Sequence, residues 1–234
     1  MKQQPNIAVI CGPPLIRKPD LDARPKAAPR PQRKAKAPAT AEKSSPRRDA
    51  ILRVAAALFA ERGYEETTIR QIGDAAGILS GSLYHHFDSK ESMLDAILRG
   101  FIDHTLASYE AVLTQGRGPT ETFEALIRTS LESMGEYRSA ILIYQNESRF
   151  LLDQQRFAFL GDAHLKFERT WTGVLRQGVA DGEFRADLDP VLVYRLVRDT
   201  IWAAPRWYRP GGPLGPEHII DQYLSILVDG ATRR

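Results

Sequence analysis

Two groups of side chains in this 234-residue sequence have the types and spacing to do chemistry. The first is Ser80, Gly81, Ser82, Tyr84 and His85, a run that starts small and polar and ends aromatic. Arg47, Arg48, Arg53, Arg62, Arg70 and Lys90 lie around it in sequence. Small polar groups can approach base edges closely, and cations neutralise phosphates. The second group is Arg195, Arg198 and Trp202, spaced i, i+3, i+7 and so expected on one helix face. Asp199 can pair with Arg195 at i+4, whereas the residues three and four away from Arg198 are Tyr194, Arg195, Ile201 and Trp202. A half-buried guanidinium needs an anion. It must come from another helix (Glu147 is the candidate), from another subunit, or from a ligand. An arginine beside a tryptophan suits a planar, charged ligand, with a carboxylate, thioester oxygen or phosphate on the one and an apolar ring on the other.

The first group needs two short helices and a tight turn to position it. Thr68 can cap a helix, and Gln71 completes a capping box. Ile69, Ile72 and Ala76 make its apolar stripe, and Ala75 and Ala76 are small enough for a close helix crossing. Gly77 suits a left-handed turn, and Ile78 plugs it. A second helix is expected from Leu79 or Ser80 to His85, with Leu83 and Phe87 facing the core. Asp88, with Glu91, is the expected cap of the next helix. This is a helix-turn-helix layout, whose second helix reads a duplex. An ordinary αα-corner is the alternative; the surrounding cations favour DNA.

Residues 47–95 resemble the DNA-binding domain of the TetR family of repressors, through AAALFAERGYEETTIRQIGDAAG and GSLYHHFDSKESML. The resemblance implies an all-α homodimer. Each subunit has a three-helix reader and a larger C-terminal helical domain for effector binding and dimerisation. Thr67, Thr68, Tyr84, His85 and Lys90 would hold phosphates, with Arg47 among the surrounding cations. Ser80, Gly81 and Ser82, with Arg70 beside them, would approach bases.

Net charge is +3, but unevenly placed: residues 1–43 carry +7 and the remainder −4. That tail also holds eight of the fifteen prolines. It has too little apolar surface to offset the entropy of ordering and is expected to be disordered, either strengthening DNA binding nonspecifically or inert. The expected division is tail 1–43, reader 44–92 and effector and dimerisation domain 93–234. Cys11 is the single cysteine, which excludes an internal disulfide. No His/Cys cluster has ligand spacing, and adjacent His85 and His86 point apart on a helix, so no metal or cofactor is expected. Ile7–Ile16 is too short and proline-broken for a signal peptide, and no run approaches a membrane span. The expected location is cytoplasmic.

From Ser45 onward the pattern is helical. Ser45-Pro46 caps a helix with Ile51, Ala55, Leu58 and Phe59 inward. Further helices are expected from Asp88 to about Gln115, Thr120 to Tyr137, Ala140 to Phe150, Gln154 to Ala180, Asp189 to Arg209 and Pro216 to Gly230. No segment alternates as a strand.

The C-terminal domain is similar to one TetR subgroup, the second and narrower of two cholesterol-catabolism repressors of mycobacteria and related actinobacteria. The parallels are LRGF at 98–101, IYQ-x-E at 143–147, DLD-xx-LVYR, RDT-x-W and RWYRPGGPL. The resemblance implies an effector that is a CoA thioester of a two-ring steroid fragment. Arg198 and Trp202 would contact it, with Arg195, Tyr144 and Phe101 completing the site. Trp207, Tyr208, Tyr223, Ile226 and Leu227 are the expected apolar dimer seam, although each could serve the intrachain core. The expected mechanism is operator release: ligand wedges the C-terminal domain, and the helix after Asp88 carries the movement through Leu98, Phe101 and Ile102. An enzyme is not expected, because there is no nucleophile elbow or paired-carboxylate motif, and RPGGPLGP lacks the GK[ST] of a phosphate loop. The alternatives are a regulator of another acyl-CoA or lipid pathway and an architectural DNA-binding protein.

Overall fold

The computed structural model describes residues 45–209 and 211–232, so the expected disorder of 1–43 lies outside the described residues. Within them the chain forms nine α-helices and one short 3-10 turn. The all-helical expectation holds, with one isolated antiparallel bridge, Phe184 to Thr232, as the described extended pairing.

Helix α1 (Pro46–Arg62) starts as the sequence dictates, with the Ser45 hydroxyl accepting from Arg48 N at 3.2 Å. It buries Ile51, Ala55, Leu58 and Phe59. Helix α2 (Ile69–Ala76) opens on the Thr68/Gln71 capping box and stops at Gly77, whose φ of 65° is left-handed. Helix α3 (Ser80–Leu83) is shorter than expected, and residues 84–86 continue only as turns. The small residue that sets the crossing is Gly73 rather than Ala75 or Ala76. A Cβ there would lie 3.0 Å from the Ile78 carbonyl oxygen and 3.4 Å from Ser80 N. α3 is therefore pressed against α2 at its first residue.

Helix α4 (Lys90–Leu113) is capped by Ser89 and Ser92 reciprocally, each hydroxyl accepting the other's amide at 3.1 Å. The expected Asp88/Glu91 pair has the same spacing one residue earlier, so spacing alone could not choose. Helix α5 (Pro119–Asn146) runs through the expected break as one element, kinked at Tyr137 (φ −101°, ψ 15°). Helix α6 (Ser148–Leu152) and the turn Gln155–Phe157 lead to α7 (Phe159–Ala180). Helix α8 (Pro190–Trp207) is capped by Asp189, whose carboxylate accepts from Val191 N and Leu192 N. Helix α9 (Pro216–Ala231) closes the bundle. α5 packs against α1, α4, α7, α8 and α9 and so forms the hub of the fold. An edge-to-face aromatic chain, Tyr109–Trp171–Phe123–Phe184, fills the centre of the bundle.

Candidate nucleic-acid interface and ligand cavity

The reader face is built around α3. Arg47, Thr68, Arg70, Gly81, Tyr84 and His85 are exposed, and Ser80 and Ser82 are half-buried. Arg70 lies 3.9 Å from Asp74 with both side chains in solvent, a pairing too weak to hold it from a phosphate. Arg48 is half-buried, its guanidinium 4.7 Å from the Phe87 ring centre.

Two expected phosphate ligands have other work. Thr67 is 0% exposed. Its hydroxyl donates to Gly63 O at 2.8 Å and lies 3.4 Å from Leu58 O, tying the corner after α1 to the end of that helix. The Lys90 ammonium donates to Tyr64 O, Glu65 O and Thr67 O at 2.8, 3.2 and 3.0 Å and sits 4.3 Å from the Tyr64 ring centre. All three of its protons are engaged. Lys90 thus fastens the start of α4 to the corner that launches α2. The sequence reading missed Leu79, which precedes α3 and is 80% exposed. A leucine left in solvent beside a reading helix can meet a thymine methyl.

The cavity lies in the C-terminal bundle and encloses about 770 Å³ including its open mouth. α4 contributes Phe101, Ile102, Thr105 and Tyr109; Leu98 is buried but outside the lining. α5 contributes Ser130, Ser133, Met134, Ile141 and Tyr144. α7 contributes His164, Phe167 and Trp171, and α8 contributes Tyr194, Arg198, Ile201 and Trp202. The Trp202 ring meets Tyr144 and Phe101 edge-on at 5.2 and 6.3 Å.

Arg198 is the fixed charge of this wall, its side chain only 11% exposed. Its Nε donates to Asp199 at 2.8 Å, so its anion comes from the adjacent residue rather than from another helix, another subunit or a ligand, and Asp199 does not serve Arg195. Glu147 is engaged elsewhere, accepting from Tyr64 N. Arg195 is exposed and outside the lining, because the inward stripe is Tyr194, Arg198, Ile201 and Trp202. Burial pushes the Tyr194 and Tyr144 phenols up, with Arg198 opposing in both cases. Burial, aided by Arg198, holds His164 below its usual value, against the pull of Glu168. At neutral pH the wall therefore presents one guanidinium, paired through its Nε with Asp199, among neutral aromatic and polar groups. That suits an apolar ligand with a carbonyl or an anionic group.

Of the expected dimer seam, Trp207 and Ile226 are exposed, Ile226 by 70%. Tyr223 and Leu227 are half-buried, and Tyr208 is buried within its own chain. The sequence reading missed Leu192 and Leu196, exposed one turn apart on α8.

Residues 51–97 match the family described as bacterial regulatory proteins, tetR family, and residues 116–231 match the tetracyclin repressor-like C-terminal domain. The chain belongs to the TetR family of transcriptional repressors. This TetR-family chain is 52% identical over 186 residues to the repressor KstR2 of Rhodococcus jostii, covering 80% of this chain and 91% of that one. The solved structure of the ketosteroid regulator KstR2 of Mycobacterium tuberculosis is 46% identical with a TM-score of 0.79, covering 82% of this chain and 98% of that one. AibR, solved with isovaleryl coenzyme A and operator DNA, is 26% identical with a TM-score of 0.68, covering 78% and 98%. These relatives are regulators, and the TetR-type protein described here is not an enzyme. No described helix is long and apolar enough to cross a membrane.

Proposed function

We propose that this repressor binds a palindromic operator as a homodimer and is released by a CoA thioester of a two-ring steroid fragment. Two readers about 34–36 Å apart span one turn of B-DNA. Arg47, Thr68, Arg70, Tyr84 and His85 supply the contacts to phosphates, and Ser80, Gly81, Ser82 and Leu79 those to bases. The observation that carries the effector assignment is the low-exposure Arg198 beside Trp202 on an aromatic wall. The guanidinium takes a thioester oxygen or a phosphate, while Trp202, Phe101 and Tyr144 take the rings. Support for the ligand class comes from KstR2, named as a ketosteroid regulator, and from AibR, solved with isovaleryl coenzyme A and operator DNA together.

Release follows from packing. An occupied cavity displaces the Phe101–Ile102 segment of α4, whose other end holds the reader through Lys90. A coupling of about 1–3 kcal/mol per site suffices for a switch. The test is an electrophoretic shift on DNA from the gene's own promoter. Release by the steroid thioester, with free CoA and a long-chain acyl-CoA inactive, is expected. Release by the long-chain acyl-CoA alone would assign the cavity to another lipid pathway.

A further inference from the structure

We propose that Glu147 is a positioning residue of the reader, carrying the packing of the cavity wall to the corner from which α2 starts. The proposal deepens the release mechanism above and rests on it for its trigger. Its basis is one carboxylate that joins the two halves of the molecule.

The last turn of α5 belongs to the cavity. Ile141 and Tyr144 line it, and Tyr144 meets Trp202 edge-on. The next residue, Gln145, fastens this turn to α8. Its Nε2 donates to the Trp202 carbonyl at 2.6 Å, and its Oε1 accepts from Arg206 Nε at 2.7 Å. A shift of the Trp202 segment therefore pulls on the end of α5.

Glu147 stands two residues further on, where the chain leaves the helix. Its Oε1 accepts from the backbone amide of Tyr64 at 2.9 Å, across 83 residues of sequence. A carboxylate on a backbone amide is a short, directional bond, stronger than a neutral pair. Tyr64 follows Gly63, the residue that ends α1, so its amide lies outside the helical ladder.

The corner 63–67 is otherwise held by rigid parts. Lys90 grips its carbonyls, Thr67 ties it back to Gly63 O, and the Tyr64 ring lies between Phe59 and Phe150 at 5.3 and 5.2 Å. A corner fixed at so many points moves as a unit. It passes directly into Thr68, the cap of α2, and α2 bears on α3 at Gly73. Glu147 thus gives the cavity wall a second line, beside that of α4 and Lys90, to the corner that launches α2 and through it to the recognition helix.

The experiment uses the full-length protein and operator DNA without effector. Operator affinity is measured for wild type, Glu147→Ala, Glu147→Gln, Trp202→Ala and the Glu147→Ala/Trp202→Ala double variant, with thermal unfolding run alongside. Glu147→Ala is expected to weaken operator binding at least about fivefold, the scale of one lost charged hydrogen bond. Glu147→Gln keeps an acceptor oxygen without the charge and is expected to recover part of the affinity lost in Glu147→Ala. Trp202→Ala is expected to alter affinity in the wild-type background and to lose that effect when Glu147 is alanine. A passive structural role would lower stability and leave the two effects multiplying. Multiplying effects, no effect of Trp202→Ala on affinity, or a glutamine variant as weak as the alanine variant would overturn the proposal. Because no effector is used, failure of the steroid thioester would leave this result standing.

Discussion

At the residue scale, the deciding question for each polar side chain is whether its donors are already engaged. Thr67 and Arg70 lie three positions apart, yet one is sealed against Gly63 O and the other is free in solvent. Thr67→Val is expected to cost about 1–3 kcal/mol of stability and to leave the salt dependence of operator binding unchanged. Arg70→Ala is expected to do the reverse, lowering the slope of log K against log salt by about one. Unfolding melts and binding titrations across salt concentrations separate the two. His164 gives a pH effect of defined sign. Burial and Arg198 hold it below its usual value, so the folded chain binds its proton less readily than the unfolded chain. Its contribution is present above the unfolded value, about 6.5, and is lost as pH falls toward the lower folded value. Melting temperature measured from pH 7.5 down to 5 is expected to fall less steeply in His164→Gln than in wild type. Residue types made the reader and the Arg198–Trp202 pair legible in the sequence. They could not show that Lys90 is consumed by three carbonyls or that Asp199 turns to Arg198, because both depend on where the backbone lies.

At the element scale, helix starts were legible where a cap and its partner are close in sequence and no second pair of the same spacing overlaps them. Ser45-Pro46, Thr68 with Gln71 and Asp189-Pro190 all begin helices as read. Ser89 was missed because two cap pairs of equal spacing overlap. The kink at Tyr137 was read as a gap between helices, since a break in pattern does not say whether the backbone bends or ends. The close approach at Gly73 was invisible, because the atoms it makes room for, Ile78 O and Ser80 N, are set by the turn. Gly73→Ala tests it. A methyl placed 3.0 Å from the Ile78 carbonyl requires the turn into α3 to give by a few tenths of an ångström. The expected cost is about 1–3 kcal/mol in stability, with operator affinity reduced more than Gly77→Asn reduces it. Equal effects of the two substitutions would argue against Gly73 as the setting of the recognition helix.

At the scale of the whole molecule, two readers can act together only if the C-terminal domains pair. The sequence placed the seam on the last two helices but could not sort exposed from buried residues. Tyr208 packs inside its own chain, while Leu192 and Leu196 on α8 and Ile226 on α9 are left in water. These exposed apolar side chains are the candidates for the proposed dimer seam. Leu196→Glu is expected to give monomers in sedimentation and to weaken operator binding by more than tenfold; a dimeric variant of unchanged affinity would place the seam elsewhere. The central claim is that the cavity around Arg198 reads the effector and the reader face obeys it. Its most direct measurement is operator release against concentration of the two-ring steroid CoA thioester, for wild type and Arg198→Ala side by side. The expected result is equal operator affinity without effector and at least tenfold more thioester needed to release Arg198→Ala. Release of both proteins at the same concentration would contradict it.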